Sequence, residues 1–234
     1  MRSAGRFLKG HWQLLCLTLA IAALWQTQAL MPLRILTVFL HELSHATATL
    51  FTGGEVVSLT INPNQGGMVV SRGGSRFLGL SAGYVGSLLI GSALFVIALR
   101  TDWDRKVLAL FGAATLAIAV FYVRDLFALS FTLAAGALML AAARYLSLNV
   151  NDMILRVIGI SSMIYAPLDI WDDTIARSHL RSDARMMAEE FGGGTILWGG
   201  VWLAISLGVI CLTLRYGLGR ASNISLRGLK LSKR

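Results

Sequence analysis

The chain has 234 residues, of which 56% are hydrophobic and 14% are charged, and its formal net charge is +9. This composition excludes an ordinary soluble globular domain and indicates a membrane protein. The positive charge lies mostly between and beyond the apolar stretches, where basic residues fix topology and contact anionic headgroups, so we predict a lipid bilayer and no nucleic acid as partner.

Seven apolar stretches approach the length of about 20 residues that a helix needs to cross a bilayer. They cover residues 12–31, 34–52, 77–99, 106–123, 125–147, 153–171 and 195–216. Because both chain ends are basic, the positive-inside rule places them on one face, which requires an even number of crossings. One of the seven is then wrong, and the weakest are 153–171 and the pair joined at Arg124 and Asp125.

These stretches predict an all-α multi-span membrane protein with six to seven transmembrane helices. We treat residues 1–234 as a single membrane domain that ends in a basic tail over 215–234. We expect it to lie in the plasma membrane. Its oligomeric state is left open.

The helix predicted over 34–52 contains the sequence His41-Glu42-Leu43-Ser44-His45. Residues four apart share one helix face, so His41 and His45 can bind a single ion while Glu42 borders its open coordination position. An ionised group at the centre of a spanning helix costs about 2.5 to 3.5 kcal/mol, and a divalent cation offsets that cost. The motif predicts a hydrolytic Zn²⁺ site with Glu42 as the general base that takes a proton from the attacking water.

Residues 55–72 differ in kind from the apolar stretches around them. Val57, Leu59 and Ile61 alternate with polar residues, and the turn sequence Pro63-Asn64-Gln65-Gly66-Gly67 follows. Alternation of period two flanking such a turn is typical of a β-hairpin. We predict a hairpin between the second and third helices, with a plain interhelical loop as the alternative.

The helix predicted over 77–99 carries Gly79, Gly83, Gly86 and Gly91. Small residues at this spacing allow two helices to approach closely in a membrane. We expect this face to pack against the HExxH helix.

A third zinc ligand is expected from the late acidic helix over 153–173. Asp169 is the carboxylate that the apolar stretch carries into the membrane, so it most needs a partner there. A solvated helix-terminal role is the alternative for Asp169, and Asp172 is the alternative third ligand. His11 and His179 are the only other histidines. The stretch Thr174 to Phe191 mixes charged and apolar residues and is typical of an interfacial segment rather than a site.

HELSH in a membrane helix, a hairpin after it and Pro167-Leu168-Asp169 on a late helix resemble the site-2 protease family of intramembrane zinc metallopeptidases. The resemblance covers roughly residues 30–177 and implies His41, His45 and Asp169 as ligands and Glu42 as base. It also implies that the hairpin edge holds substrate as an added strand. The substrate would be a membrane-spanning protein.

The chain departs from the usual family pattern at two places. Ile170 follows Asp169 where well-known members have glycine, and Gly83-Tyr84-Val85-Gly86-Ser87 stands in place of their Gly-Pro-x-x-Asn motif. There is no room for a PDZ domain, so we expect a minimal branch of the family. Two other functions stay open, a non-catalytic membrane-embedded binding protein and a metal or ion transporter.

Overall fold

The computed structural model describes residues 2–224 and contains eight α-helices and one hairpin over that range. The elements in chain order are α1 (Arg2–Leu24), a 3-10 turn (Gln28–Leu30), α2 (Met31–Phe51), β1 (Glu55–Ile61), β2 (Gly67–Arg72), α3 (Arg76–Arg100), α4 (Asp104–Tyr122), α5 (Leu126–Tyr145), α6 (Leu148–Trp171), a π-helical turn (Asp172–Ala176), α7 (Asp183–Phe191) and α8 (Thr195–Gly217). The predicted all-α multi-span fold with a small hairpin is confirmed. The end of the basic tail, residues 225–234, lies outside the described residues.

Within residues 2–224, six helices are long and apolar enough to cross a membrane: α1, α3, α4, α5, α6 with its π-helical turn, and α8. The helix that falls short of this criterion is α2, rather than the late helix or the α4 and α5 pair that the sequence marked as weakest. An even number of crossings agrees with the contact between the first helix and the segment after α8, because the backbone N–H of Ser222 donates to the carbonyl of Gly10 at 2.9 Å.

Helix α2 lies inside the bundle and is buried on all its faces between its first turn and the HExxH motif. Every residue from Arg34 to Glu42 is buried. Its neighbours are α3, α6 and the hairpin. A helix enclosed in this way holds its side chains in fixed directions, because a close-packed interior leaves few alternative rotamers.

The hairpin packs one face against the bundle and leaves one strand edge open. Leu59 and Ile61 are buried, but a bulge between Val56 and Ser58 shifts the alternation, so Val56 is buried and Val57 is exposed. The turn is closed by the Asn62 side chain, which accepts hydrogen bonds from the N–H groups of Asn64 and Gly66. On its outer side β1 forms a bridge with Val123 from the α4–α5 loop. The outer edge of β2 has no such bridge among residues 2–224.

Helix α7 covers the end of the bundle where the hairpin lies. Ser182 caps its start by accepting a hydrogen bond from the N–H of Arg185 at 3.3 Å. Ala184 and Met187 are fully buried against Leu80 and Trp202, which places α7 over α3 and α8. An amphipathic helix held by its apolar face thereby brings its first turn to the bundle interior.

Helices α4 and α5 cross where two glycines meet. A Cβ atom on Gly112 would lie 2.9 Å from the carbonyl oxygen of Gly136, and one on Gly136 would lie 2.9 Å from that of Gly112. This close crossing depends on having no side chain at either glycine, as expected where small residues allow two backbones to approach.

We predict that Gly112→Leu lowers the stability of the bundle by about 1–3 kcal/mol, because the added side chain overpacks this crossing. The matched control is Gly208→Leu on α8, where a Cβ atom meets nothing within 4 Å. Thermal unfolding in detergent measures both. Equal midpoints for the two variants would contradict the packing described here.

Candidate metal centre

Two imidazoles on α2 face each other across one helical turn. The ring centroids of His41 and His45 are 4.8 Å apart. The placement follows from their spacing of four residues on a straight buried helix. Both Nε2 atoms point to the same side chain, the carboxylate of Asp183.

Asp183 completes a cluster of three ligand atoms. Its Oδ2 lies 3.0 Å from Nε2 of His41 and 3.0 Å from Nε2 of His45. Ligand atoms held at tetrahedral angles about 2.0–2.2 Å from one zinc ion lie about 3.3 Å apart, so this spacing fits a zinc ion after a small expansion. Among residues 2–224, His41, His45 and Asp183 form the group of at least three His, Cys, Asp or Glu side chains with suitable ligand atoms, all within 4.8 Å of one another.

The opposite nitrogen of each imidazole faces an oxygen atom, and of the two only Nδ1 of His45 forms a hydrogen bond. Nδ1 of His45 lies 2.7 Å from the carbonyl oxygen of Gly79, which can only accept, so Nδ1 carries a proton and the neutral form of the ring has its free lone pair on Nε2. Nδ1 of His41 lies 3.4 Å from Oδ2 of Asp169. Metal-binding histidines commonly donate their second N–H to a carbonyl or carboxylate in this way.

A glycine on α3 leaves room beside the two ligand nitrogens. A Cβ atom on Gly83 would lie 2.3 Å from Nε2 of His41 and 2.6 Å from Nε2 of His45. Gly86 is similarly tight against Ser44, whereas Gly91 packs against Ser162 of α6. The predicted contact between this face of α3 and the HExxH helix is therefore present at Gly83 and Gly86.

Asp183 enters the site from outside the membrane-spanning helices, at the first position of α7. Burial opposes ionisation of its carboxyl group, but the charges of His45 and His41 and the hydrogen bonds from both outweigh burial and hold the pKa of Asp183 well below its usual value. The carboxylate form is also the form that binds metal.

Glu42 borders the cluster and lines a cavity of about 250 Å³. The side chain of Glu42 is packed against the start of β2, where a Cβ atom on Gly67 would lie 2.4 Å from Oε1 of Glu42. The turn residues Gln65 and Gly66 line the same cavity. The free end of the hairpin thus lies directly over the predicted general base.

The three acidic residues of the late helix have different surroundings. Asp169 lines the cavity and contacts His41 on the ring nitrogen that faces away from the cluster. Asp173 accepts a hydrogen bond of 2.6 Å from the Tyr84 hydroxyl. The side chain of Asp172 is half exposed and lies 3.9 Å from Nη2 of Arg177. Neither Asp169 nor Asp172 joins the three-atom cluster.

The other two histidines lie elsewhere. Nδ1 of His11 lies 2.8 Å from the Ser222 hydroxyl at the opposite end of the bundle, and His179 is exposed.

Sequence reasoning overlooked Asp183, because it lies in the stretch interpreted as interfacial. An acidic residue after a Ser N-cap is ordinary at a helix start, so nothing in the local sequence separates Asp183 from a capping residue.

The comparisons with known proteins give one family. Residues 14–213 match the family described as Peptidase M50B-like. No curated protein and no solved structure matches the chain. The matched range includes the HExxH helix, the hairpin, the late acidic helix and Asp183, and it covers most of the chain. This multi-pass membrane protein therefore belongs to the Peptidase M50B-like family of membrane metallopeptidases.

Proposed function

We propose that the chain is a zinc-dependent intramembrane endopeptidase that hydrolyses a peptide bond of a membrane-spanning protein. The observation that carries the proposal is the convergence of two histidine Nε2 atoms and one carboxylate oxygen beside Glu42. We further propose the plasma membrane as its location. The expectation of a minimal branch without a PDZ domain stays a prediction.

For the metal, we propose His41, His45 and Asp183 as ligands, with Asp169 orienting His41 through Nδ1. The distances favour Asp183 over the Asp169 or Asp172 expected from the sequence, because only Asp183 reaches both Nε2 atoms. A bound zinc ion would polarise the scissile carbonyl and acidify water.

Within this site, Glu42 takes the proton of the attacking water and later returns it to the leaving amine. Its burial beside the two imidazoles and Gly67 keeps it within the cavity. General acid–base catalysis requires a carboxylate within hydrogen-bond reach of the reacting water, and a position beside the candidate metal ligands favours such a contact.

The hairpin supports an extended substrate. A helix hides its peptide groups in its own hydrogen bonds, so the bond to be cleaved must first unwind. The outer edge of β2 offers main-chain donors and acceptors to such a segment, and the start of β2 lies against Glu42. We propose that the substrate pairs with this edge.

We predict that Asp183→Ala and His45→Ala lose stoichiometric zinc, because each removes one of three ligands. Asp169→Asn should keep one zinc per chain with about 10–100-fold weaker affinity, because it changes only the partner of His41. Asp172→Asn is the control and should bind as wild type. Metal analysis after dialysis against a graded chelator series measures all four, and loss of zinc in Asp169→Asn with retention in Asp183→Ala would reverse the ligand assignment.

We predict that Glu42→Gln retains zinc but loses about 10²-fold or more of its cleavage rate, because the amide cannot accept the water proton. The measurement is cleavage of reconstituted single-span membrane proteins alongside zinc content. A non-catalytic binding protein would tolerate the change, so unaltered function of Glu42→Gln in cells would support that alternative and contradict the peptidase proposal.

We predict that Gly83→Ala lowers zinc affinity although it removes no ligand. The new methyl group must displace the ligand nitrogens, from which it would otherwise lie 2.3 and 2.6 Å away. Gly208→Ala, in open space, is the matched control. Equal zinc affinity of the two variants, measured by chelator competition, would show that Gly83 does not shape the site.

A further inference from the structure

A buried arginine lies beside the candidate catalytic site without an ionic partner. Arg34 is on α2 and is 6% exposed. Its Nη1 donates to Oε1 of Gln26 at 3.2 Å, and its Nη2 lies 3.7 Å from the sulfur of Met31. Its Nε is buried and has no hydrogen-bond partner. Across residues 2–224 no carboxylate forms an ion pair with this guanidinium.

Such a group is costly to bury. A guanidinium stays charged and has five N–H donors in a planar fork, whereas Arg34 gives one of them to an oxygen. Burial of a charge is favourable only where a partner and further hydrogen bonds compensate for lost water. The missing partner of Arg34 therefore indicates an anion that binds from outside the chain.

The guanidinium borders a polar cavity of about 290 Å³, which we call the Arg34 cavity. Its lining includes Trp25, the amide residues Gln26, Asn64 and Gln65, and the charged residues Asp169, Asp172 and Arg177. A carboxylate in this cavity would find the Arg34 fork and neutral N–H donors around it, an arrangement suited to two-pronged recognition.

The other charged groups of the Arg34 cavity already have partners. Asp172 lies 3.9 Å from Arg177, which also contacts Asp173 at 3.3 Å. Asp169 contacts His41. Arg34 is thus the lining charge that remains uncompensated in the described part of the chain.

The Arg34 cavity adjoins the catalytic cavity. Gln65, Tyr165, Asp169 and Arg177 line both. A substrate segment paired with β2 would pass Gly67 beside Glu42 and continue past the Asn64–Gln65 turn. The residues on one side of the scissile bond would then reach the Arg34 cavity.

We propose that the Arg34 cavity is a substrate subsite that binds a carboxylate close to the cleaved bond. The carboxylate belongs either to an acidic side chain or to the substrate's own C-terminus. This inference rests on the proposed peptidase function and adds a substrate class to it.

The test uses quenched fluorescent peptides in detergent that differ only by Glu, Gln or Lys at each position near the scissile bond. Each peptide is made with a free or an amidated C-terminus. We expect Glu at one position, or the free C-terminus, to raise kcat/KM at least about tenfold over the neutral peptide, because a buried charge pair replaces an unpaired charge. The first result assigns the carboxylate to a side chain, and the second assigns it to the chain end.

Arg34→Gln should remove this preference while cleavage of the neutral peptide continues, and Arg34→Lys should restore part of it. The matched control is Arg144→Gln, an exposed arginine at the opposite end of the bundle, which should keep the full preference. The ratio of rates on acidic and neutral peptides is the readout, because a merely structural role of Arg34 would lower both rates equally. Equal lowering would overturn the proposal.

Binding is measured without turnover by titrating Glu42→Gln protein with the Glu peptide and following tryptophan fluorescence. Trp25 lines the cavity, so the change should disappear in Trp25→Phe and in Glu42→Gln/Arg34→Gln. A response to phosphatidylglycerol vesicles but not to the peptide would assign the cavity to a lipid and overturn the proposal.

Two outcomes separate the subsite from the peptidase function. Zinc-loaded wild type that cleaves no peptide would refute the peptidase function itself, whereas equal cleavage of the Glu, Gln and Lys peptides would refute only the subsite.

Discussion

The structure depends on how an apolar helix bundle accommodates two imidazoles and a carboxylate within five residues of one helix. The residues around α2 contact both nitrogens of each imidazole. Nδ1 of His45 faces the carbonyl oxygen of Gly79, and Nδ1 of His41 faces the carboxylate of Asp169. Nε2 of each ring faces Asp183. Both Nε2 atoms therefore lie 3.0 Å from the same carboxylate oxygen. A cation bound between these three atoms would balance the Asp183 carboxylate.

This arrangement joins elements that are far apart in the chain. The pair of candidate ligands comes from α2, the space beside it comes from Gly83 on α3, and the third candidate ligand comes from the start of α7. The position of α7 follows from Ala184 and Met187, which are buried against α3 and α8. Packing of a short amphipathic helix thereby sets the position of a ligand, so the covering helix and the metal centre are expected to stabilise each other.

Much of the fold could be predicted from the sequence, because it follows from patterns among neighbouring residues. The spans follow from hydropathy, the hairpin from alternation before Asn62 and Gly66, and the facing imidazoles from the spacing of His41 and His45. The register of the hairpin was beyond reach, since the bulge that buries Val56 in place of Val57 depends on packing against the bundle. The sequence also did not show that α2 is less apolar than a membrane span requires, because enclosure by neighbouring helices, rather than hydropathy, keeps α2 in the bundle.

The third carboxylate shows why the rest of the site could not be predicted. Asp169 does approach His41, but the sequence does not indicate which ring nitrogen a carboxylate will contact. Asp183 lies in a segment whose composition is that of a surface helix, and only tertiary contacts carry it inward. Arg34 is a similar case, because its lack of an ionic partner is visible only once its neighbours are placed.

The most direct test of the ligand set is a crystal structure of the zinc-loaded protein with anomalous scattering recorded at the zinc edge. The account predicts one peak about 2.0–2.2 Å from Nε2 of His41, Nε2 of His45 and a carboxylate oxygen of Asp183. A peak bonded to Asp169 or Asp172 instead of Asp183, or no peak between the two imidazoles, would contradict it.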